Sequence, residues 1–200
     1  MQTNTLRRTS VLILALAALL TTACNKDTGA TLTLPTTGTI VQNLQANGEQ
    51  YTLFSLRENG LVANTDSATN KWDIGFKKTT LIINGGTLRT GAGGAFIHLG
   101  DFDALKTIAD TATFRTDNDA ESLAIKPGSG NGWYNYSPLT NTVLPITGRI
   151  LVVRTANGNF AKLEILSYYK NIPKIPTIRD DARFYTFRYT YQPNGTKNFD

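Results

Sequence analysis

The stretch Phe184–Gln192 places Tyr185, Phe187, Tyr189 and Tyr191 at alternate positions, with Thr186, Arg188 and Thr190 between them. A period of two is the side-chain period of a β-strand, not of a helix. Four aromatic rings on one face demand a second layer packed over them, with the tyrosine hydroxyls reaching partners at the edge. The same signature, in alternating or short apolar runs bounded by Gly, Asn and Pro, recurs at Tyr51–Leu56, Leu61–Asn64, Trp72–Thr79, Leu81–Asn84, Gly94–Leu99, Ile150–Thr155 and Phe160–Tyr168. Between the last two, Asn157-Gly158 predicts a tight hairpin turn, because both residues tolerate positive φ. That register turns Ala161, Leu163 and Ile165 toward the core and Lys162 and Glu164 toward solvent. Only Asp101–Ala109 reads as a helix, with Phe102, Leu105, Ile108 and Ala109 at helical spacing and acids in the first turn. The expected fold is mostly β: a single-domain antiparallel sandwich or open barrel with one short helix.

The one cysteine, Cys24, follows Val11–Leu20, ten uninterrupted residues of Val, Ile, Leu and Ala, and Arg7 and Arg8 precede that run. A charged head, a short apolar stretch and small residues before a cut describe a secretory signal peptide. The run is half of the ~20 residues a membrane-crossing helix needs. A cysteine at the cut resembles the bacterial lipobox, whose thiol is lipidated, although Thr21 stands where Leu is commoner. The expected organisation is a lipoprotein signal peptide over residues 1–23, a lipid-anchored tether over 24–45 and one domain over 46–200. Asn25–Gly38 is polar and rich in Thr and Gly, as suits a tether, yet Thr31-Leu32-Thr33-Leu34 also alternates like an edge strand. Asn25-Lys26-Asp27 resembles the short charged signals that route some lipoproteins to the outer cell face. Cleavage before Cys24 leaves 177 of the 200 residues, enough for one well-cored domain, with no partner for an intramolecular disulfide. Losing Arg7 and Arg8 leaves 18 basic residues against 15 acidic ones, so the charge of +5 falls to +3. These charges are scattered, without the clustering a phosphate backbone requires, so nucleic acid is not an expected partner.

Residue types that carry catalysis are scarce: the chain has one histidine, His98, and one methionine, Met1. Two-histidine zinc motifs are impossible, and no serine sits in a G-x-S-x-G elbow. Gly91, Gly93 and Gly94 lack the lysine of a phosphate loop and read as a glycine-rich bend. Asp117, Asp119 and Glu121 begin like a calcium loop, but Ser122 and Gly128 occupy its sixth and twelfth positions, which leaves a solvated acidic loop. Asn194-Gly195-Thr196 fits a glycosylation sequon and, behind a bacterial lipobox, reads as a polar tail. With no acid–base pair, the expected protein is a binder and not an enzyme.

One segment reads as a binding surface. Gly128-Ser129-Gly130-Asn131-Gly132, expected to be flexible, leads into Trp133-Tyr134-Asn135-Tyr136-Ser137-Pro138. Trp133, Tyr134 and Tyr136 offer stacking faces to a flat or apolar ligand. In the alternative, Trp133 and one tyrosine belong to the core while the other tyrosine covers an edge. His98 lies in the strand-like Ala95–Leu99 and is either a structural histidine or a ligand.

Several segments together resemble the HmuY family of bacterial lipoprotein haem carriers, or hemophores. They are Trp72-Asp73-Ile74-Gly75-Phe76, Asn84-Gly85-Gly86, the glycines Gly91, Gly93 and Gly94, Trp133 followed by Ser137, and the hairpin Gly148–Tyr169. Within that hairpin Arg154–Lys162 is the most specific part, and the likeness runs from Tyr51 to Gln192. The resemblance implies an all-β fold, haem or a related tetrapyrrole as ligand, and an outer-membrane, cell-surface location in a Gram-negative bacterium. It also implies a TonB-dependent outer-membrane receptor as partner. In the family's best-known member one axial histidine directly follows the W-x-x-x-S segment and another lies between the glycine cluster and the tryptophan. Here the first position is Pro138, and Leu99–Gly132 contains neither His nor Met. The ligation expected by this resemblance is therefore not bis-histidine. Tyr136 and Tyr134 are the nearer iron donors and His98 the more remote one, with Trp133 as a stacking face. The alternatives are a non-haem ligand on the same scaffold, such as a glycan, or a non-catalytic accessory subunit of an outer-membrane receptor.

Overall fold

The computed structural model describes Met1 and residues 30–200. Cys24 and the apolar run Val11–Leu20 lie outside the described residues. Among the described residues eleven strands follow in chain order: β1 (Thr39–Gln45), β2 (Thr52–Ser55), β3 (Gly60–Val62), β4 (Ile74–Lys77), β5 (Thr80–Ile83), β6 (Gly94–Leu99), β7 (Tyr134–Ser137), β8 (Thr142–Pro145), β9 (Arg149–Arg154), β10 (Phe160–Tyr169) and β11 (Ala182–Gln192). They form a five-stranded sheet in the order β1-β11-β10-β9-β6, a four-stranded sheet in the order β3-β2-β4-β5, and the two-stranded hairpin β7-β8. All pairings between these strands are antiparallel. Among the described residues no helix is long and apolar enough to cross a membrane.

The aromatic stripe organises the sandwich as its periodicity requires. Tyr185, Phe187 and Tyr189 are buried between the two larger sheets. Phe187 meets Phe54 of β2 edge-on at 5.6 Å and stacks on Phe76 of β4 at 5.4 Å. The hydroxyls leave the apolar layer at its margins, where Tyr185 donates to the Lys78 carbonyl (2.8 Å) and Tyr189 to Asn59 (3.1 Å). Fully burying one large apolar side chain contributes about 1.5–3 kcal/mol, so this cross-sheet cluster is a principal source of stability.

Several expectations are corrected by the fold. Thr39–Gln45, which the expected boundary at residue 45 leaves in the tether, is β1 and pairs with β11, so the sheet begins inside that range. Asp101–Ala109 is not a helix, and among the described residues the short helix is instead the 3-10 turn Asn64–Asp66. A helix would need the Phe102 and Leu105 carbonyls for its own bonds. Both instead accept from the Lys162 ammonium at 2.7 Å. The C-terminal tail takes further backbone groups, with Phe199 N–H donating to the Lys106 carbonyl and Ile108 N–H to the Lys197 carbonyl. Lys162 is thus buried, not solvated, under Phe102, Leu105 and Ile108, which cover the outer face of the large sheet. At the β9–β10 turn only Gly158 has positive φ (+85°), and Asn157 does not. Gly158 N–H donates to the Thr155 carbonyl and Thr155 N–H to the Asn159 carbonyl, a three-residue loop closed by a left-handed glycine.

Candidate functional site

The hairpin β7–β8 pairs Tyr134 with Pro145, Tyr136 with Val143 and Ser137 with Thr142. Its base is pinned to the sandwich. Trp133 Nε1 donates to the Thr79 carbonyl (3.0 Å), Ile146 N–H to the Trp133 carbonyl (2.9 Å), and the Arg149 guanidinium to the Gly132 carbonyl. Gly132 is required here, since a Cβ would stand 2.4 Å from the Lys126 carbonyl oxygen. The glycine-rich loop is tied along β7, because Gly130 N–H donates to the Tyr134 carbonyl and Tyr136 N–H to Ser129 Oγ, both at 2.8 Å.

The structure separates the residues expected to act together. Trp133 and Tyr134 are buried in the main core, the indole lying 4.9 Å from Tyr134, 5.1 Å from Tyr185 and 5.6 Å from Tyr168 between ring centroids. Neither presents an open stacking face. Tyr136 is 45% exposed, and its hydroxyl donates to Asn141 Oδ1 at 2.8 Å. His98 pairs across β6–β9 with Ile150, a residue of the outer cluster around Phe102. Its neighbour Ile97 packs on the main core. Strand alternation therefore puts the imidazole on the opposite face of the large sheet from Trp133 and Tyr134.

Beside the hairpin lies a groove of about 290 Å³ lined by Leu144 and Ile146 on one side, Tyr168 and Tyr169 on its floor, and Pro173 and Pro176 on the other side. Tyr169 fixes the hairpin to this floor by accepting the Val143 N–H on its hydroxyl (2.9 Å). Burial pushes the Tyr168 phenol up to about 12 and raises that of Tyr169. Sequence reading missed this floor. The available signal was the doublet Tyr168-Tyr169 ending β10, followed by the proline- and isoleucine-rich Ile172–Ile178.

A second, more open trough of about 430 Å³ lies on the outer face of the four-stranded sheet, between Tyr51, Trp72, Leu88 and Arg89. Its cation is already engaged, since Arg89 Nη1 sits 2.9 Å from Asp117 Oδ2. Asp117, expected in a solvated acidic loop, is fully buried and accepts the backbone N–H groups of Ile83 and Ala124. Among the described residues no three His, Cys, Asp or Glu side chains are grouped to hold a metal ion.

Fold and site together define a two-sheet antiparallel sandwich with a pinned hairpin beside an apolar groove. The model of the family described as HmuY protein matches residues 47–179, and the chain belongs to that family. The match ends before β11, although the stripe on β11 anchors the core. Among solved structures, an apo HmuY analogue from Tannerella forsythia superposes with a TM-score of 0.54 at 13% identity, covering 79% of this chain and 97% of that one. A candidate lipoprotein from Bacteroides fragilis gives 0.49 at 15% identity, covering 82% and 96%. A candidate HmuY-like haem-binding protein from Bacteroides vulgatus gives 0.48 at 15% identity, covering 75% and 88%. No curated protein matches the chain.

Proposed function

We propose that this protein is a non-enzymatic, lipid-anchored protein of the outer membrane that captures haem or a related tetrapyrrole at the cell surface and passes it to a TonB-dependent receptor. Membership of the HmuY family, over residues 47–179, carries the reading. The groove supports it. Its volume of about 290 Å³ lies just below the roughly 300–1,000 Å³ of small-molecule sites, which suits the edge of a macrocycle and leaves the rest exposed. At ~25 cal/mol per Å² of apolar surface, contact with the prolines, Leu144 and Ile146 supplies affinity without an iron bond.

The iron donors differ from the family's best-known pattern. Pro138 stands where a histidine would, and His98 lies on the far face of the large sheet. Tyr136 pairs with Val143 whereas Leu144, which lines the groove, pairs with Asn135, so the exposed Tyr136 phenol stands on the other face of the hairpin. In this reading it is the donor for a porphyrin lying over the hairpin, not for one seated only in the groove. Absorbance titration of the purified mature protein with haem and with iron-free protoporphyrin tests the proposal. Both should shift the Soret band, with a high-spin haem spectrum. A low-spin bis-imidazole spectrum would overturn the ligation, and no response to either compound would overturn the ligand class. The same Pro138 favours a second reading, a non-haem ligand on this scaffold, which the latter result would support.

A further inference from the structure

Residues 30–32 do not run free. Ala30 accepts on its carbonyl from Lys174 N–H (2.7 Å), Leu32 N–H donates to the Ile172 carbonyl (2.8 Å), and Thr31 bridges Pro173 antiparallel. Only residues 25–29 separate this seam from Cys24. At no more than about 3.6 Å per residue, the six steps from Cys24 to Ala30 span at most about 22 Å. An anchor on Cys24 therefore holds the loop Ile172–Arg179 close to the bilayer, whatever path the intervening residues take.

That loop has the chemistry of a membrane-contacting surface. Ile175 and Ile178 are 80% and 73% exposed, and Leu32 beside them is partly exposed. Lys170, Lys174, Arg179 and Arg183, all exposed, flank them along the chain. The acids of the segment are Asp180 and Asp181. Asp180 accepts from Thr177 N–H and Oγ1 at 2.7 and 2.9 Å, so the stretch carries four cations against two carboxylates, one of them already engaged. Exposed apolar side chains flanked in sequence by basic ones suit the boundary between acyl chains and anionic headgroups.

We infer that Ile172–Arg179 is a bilayer-contacting face, with Ile175 and Ile178 entering the headgroup boundary and Lys170, Lys174 and Arg179 meeting acidic lipid. The inference rests on the lipid-anchored part of the function proposed above. Because Pro173, Lys174 and Pro176 also line the groove, the face sets the groove mouth at the membrane surface.

The test uses the mature chain with Cys24→Ser, so that no covalent lipid contributes, floated with vesicles of phosphatidylcholine alone or with phosphatidylglycerol. The chain should partition onto both, more strongly with phosphatidylglycerol. Ile175→Ser/Ile178→Ser should reduce partitioning by roughly tenfold or more, and Lys170→Gln/Lys174→Gln should weaken the preference for the acidic lipid. The indole introduced by Ile178→Trp should be quenched by brominated phosphatidylcholine, while the buried Trp72 and Trp133 are not. Equal partitioning of parent and double-serine chains, or none by the parent, would overturn the proposal. Anchoring is read separately by fractionating cells that express the wild-type or Cys24→Ala chain. Release of Cys24→Ala without vesicle binding by the mature chain rejects the contact face and keeps the anchor, and the converse rejects the anchor alone.

Discussion

Asp73→Ala should destabilise this protein more than any surface change, because Asp73 joins the two sheets through buried backbone. Its Oδ2 accepts the Leu56 N–H at the end of β2 (2.8 Å), and its Oδ1 accepts the Ala156 N–H in the β9–β10 turn (2.9 Å). The carboxylate is buried, and burial pushes its pKa up against the pull of those N–H donors. Hydrogen bonds to a charged group are worth about 1.5–3 kcal/mol each, and alanine leaves both donors unsatisfied. Relief from holding a buried charge offsets part of that sum, which leaves a loss of about 3 kcal/mol. For a domain of this size that lowers Tm by roughly 6–12 °C. Asp73→Asn keeps one acceptor oxygen and should fall between the two. Urea unfolding followed by circular dichroism and tryptophan fluorescence measures the loss, with an unchanged m-value confirming that the native state kept its compactness. A loss for Asp73→Ala below about 1 kcal/mol would refute the claim that this carboxylate joins the sheets.

Four further outcomes are expected. Tyr136→Phe should weaken haem binding by about tenfold while leaving iron-free protoporphyrin unchanged, since only the iron uses the phenol; equal effects on both, measured by absorbance titration, would reject the donor role. Gly158→Val should cost about 1–2 kcal/mol in urea, because Gly158 holds φ +85°, whereas Asn157→Val should cost less; the reverse order would contradict the turn geometry. Burial holds Tyr168 and Tyr189 up to about 12 and Tyr185 well above the ordinary value. The unfolded chain therefore releases those protons first, so stability is undiminished below the ordinary tyrosine pKa of about 10 and falls as pH rises from there toward 12. A flat urea midpoint across that window would count against buried protonated phenols. Cys24→Ala should leave the membrane fraction or remain uncleaved, and fractionation identical to wild type would exclude lipidation.

The fold was legible wherever the decisive contacts lie on one strand. Eight predicted strands lie within two residues of their observed ends, because alternation and flanking turn residues are local signals. The helix expected at Asp101–Ala109 fails for a reason no local rule contains. Its spacing is helical, but two of its carbonyls are claimed by Lys162, a residue more than fifty positions away. Lys162 in turn reads as a solvent-facing residue until that segment covers it, with its ammonium 4.5 Å from the Phe102 ring. Burial lowers its pKa, the mark of a cation drawn under a cover that periodicity alone does not reveal. Strands β7 and β8 escape the same signals because the aromatic run reads as an exposed surface, whereas it is one strand of a pinned hairpin.

The site was less legible because it depends on which faces the fold brings together. Trp133, Tyr134 and Tyr136 are neighbours in sequence, yet only Tyr136 reaches solvent. The groove floor comes from the end of β10, outside the expected set. The residues that carry the family resemblance are mostly required by backbone packing. A Cβ on Gly85 would stand 2.0 Å from the Gly93 carbonyl oxygen, one on Gly93 2.3 Å from the Asn84 carbonyl oxygen, and Asp73 joins the sheets. None of these contacts involves the hairpin tip, where Pro138 and the 92%-exposed Leu139 follow Ser137. A scaffold held in this way places no structural demand on the residue after Ser137. Family membership and axial ligation are therefore physically separable, and it is this separation that a haem and protoporphyrin titration of the Tyr136→Phe chain resolves.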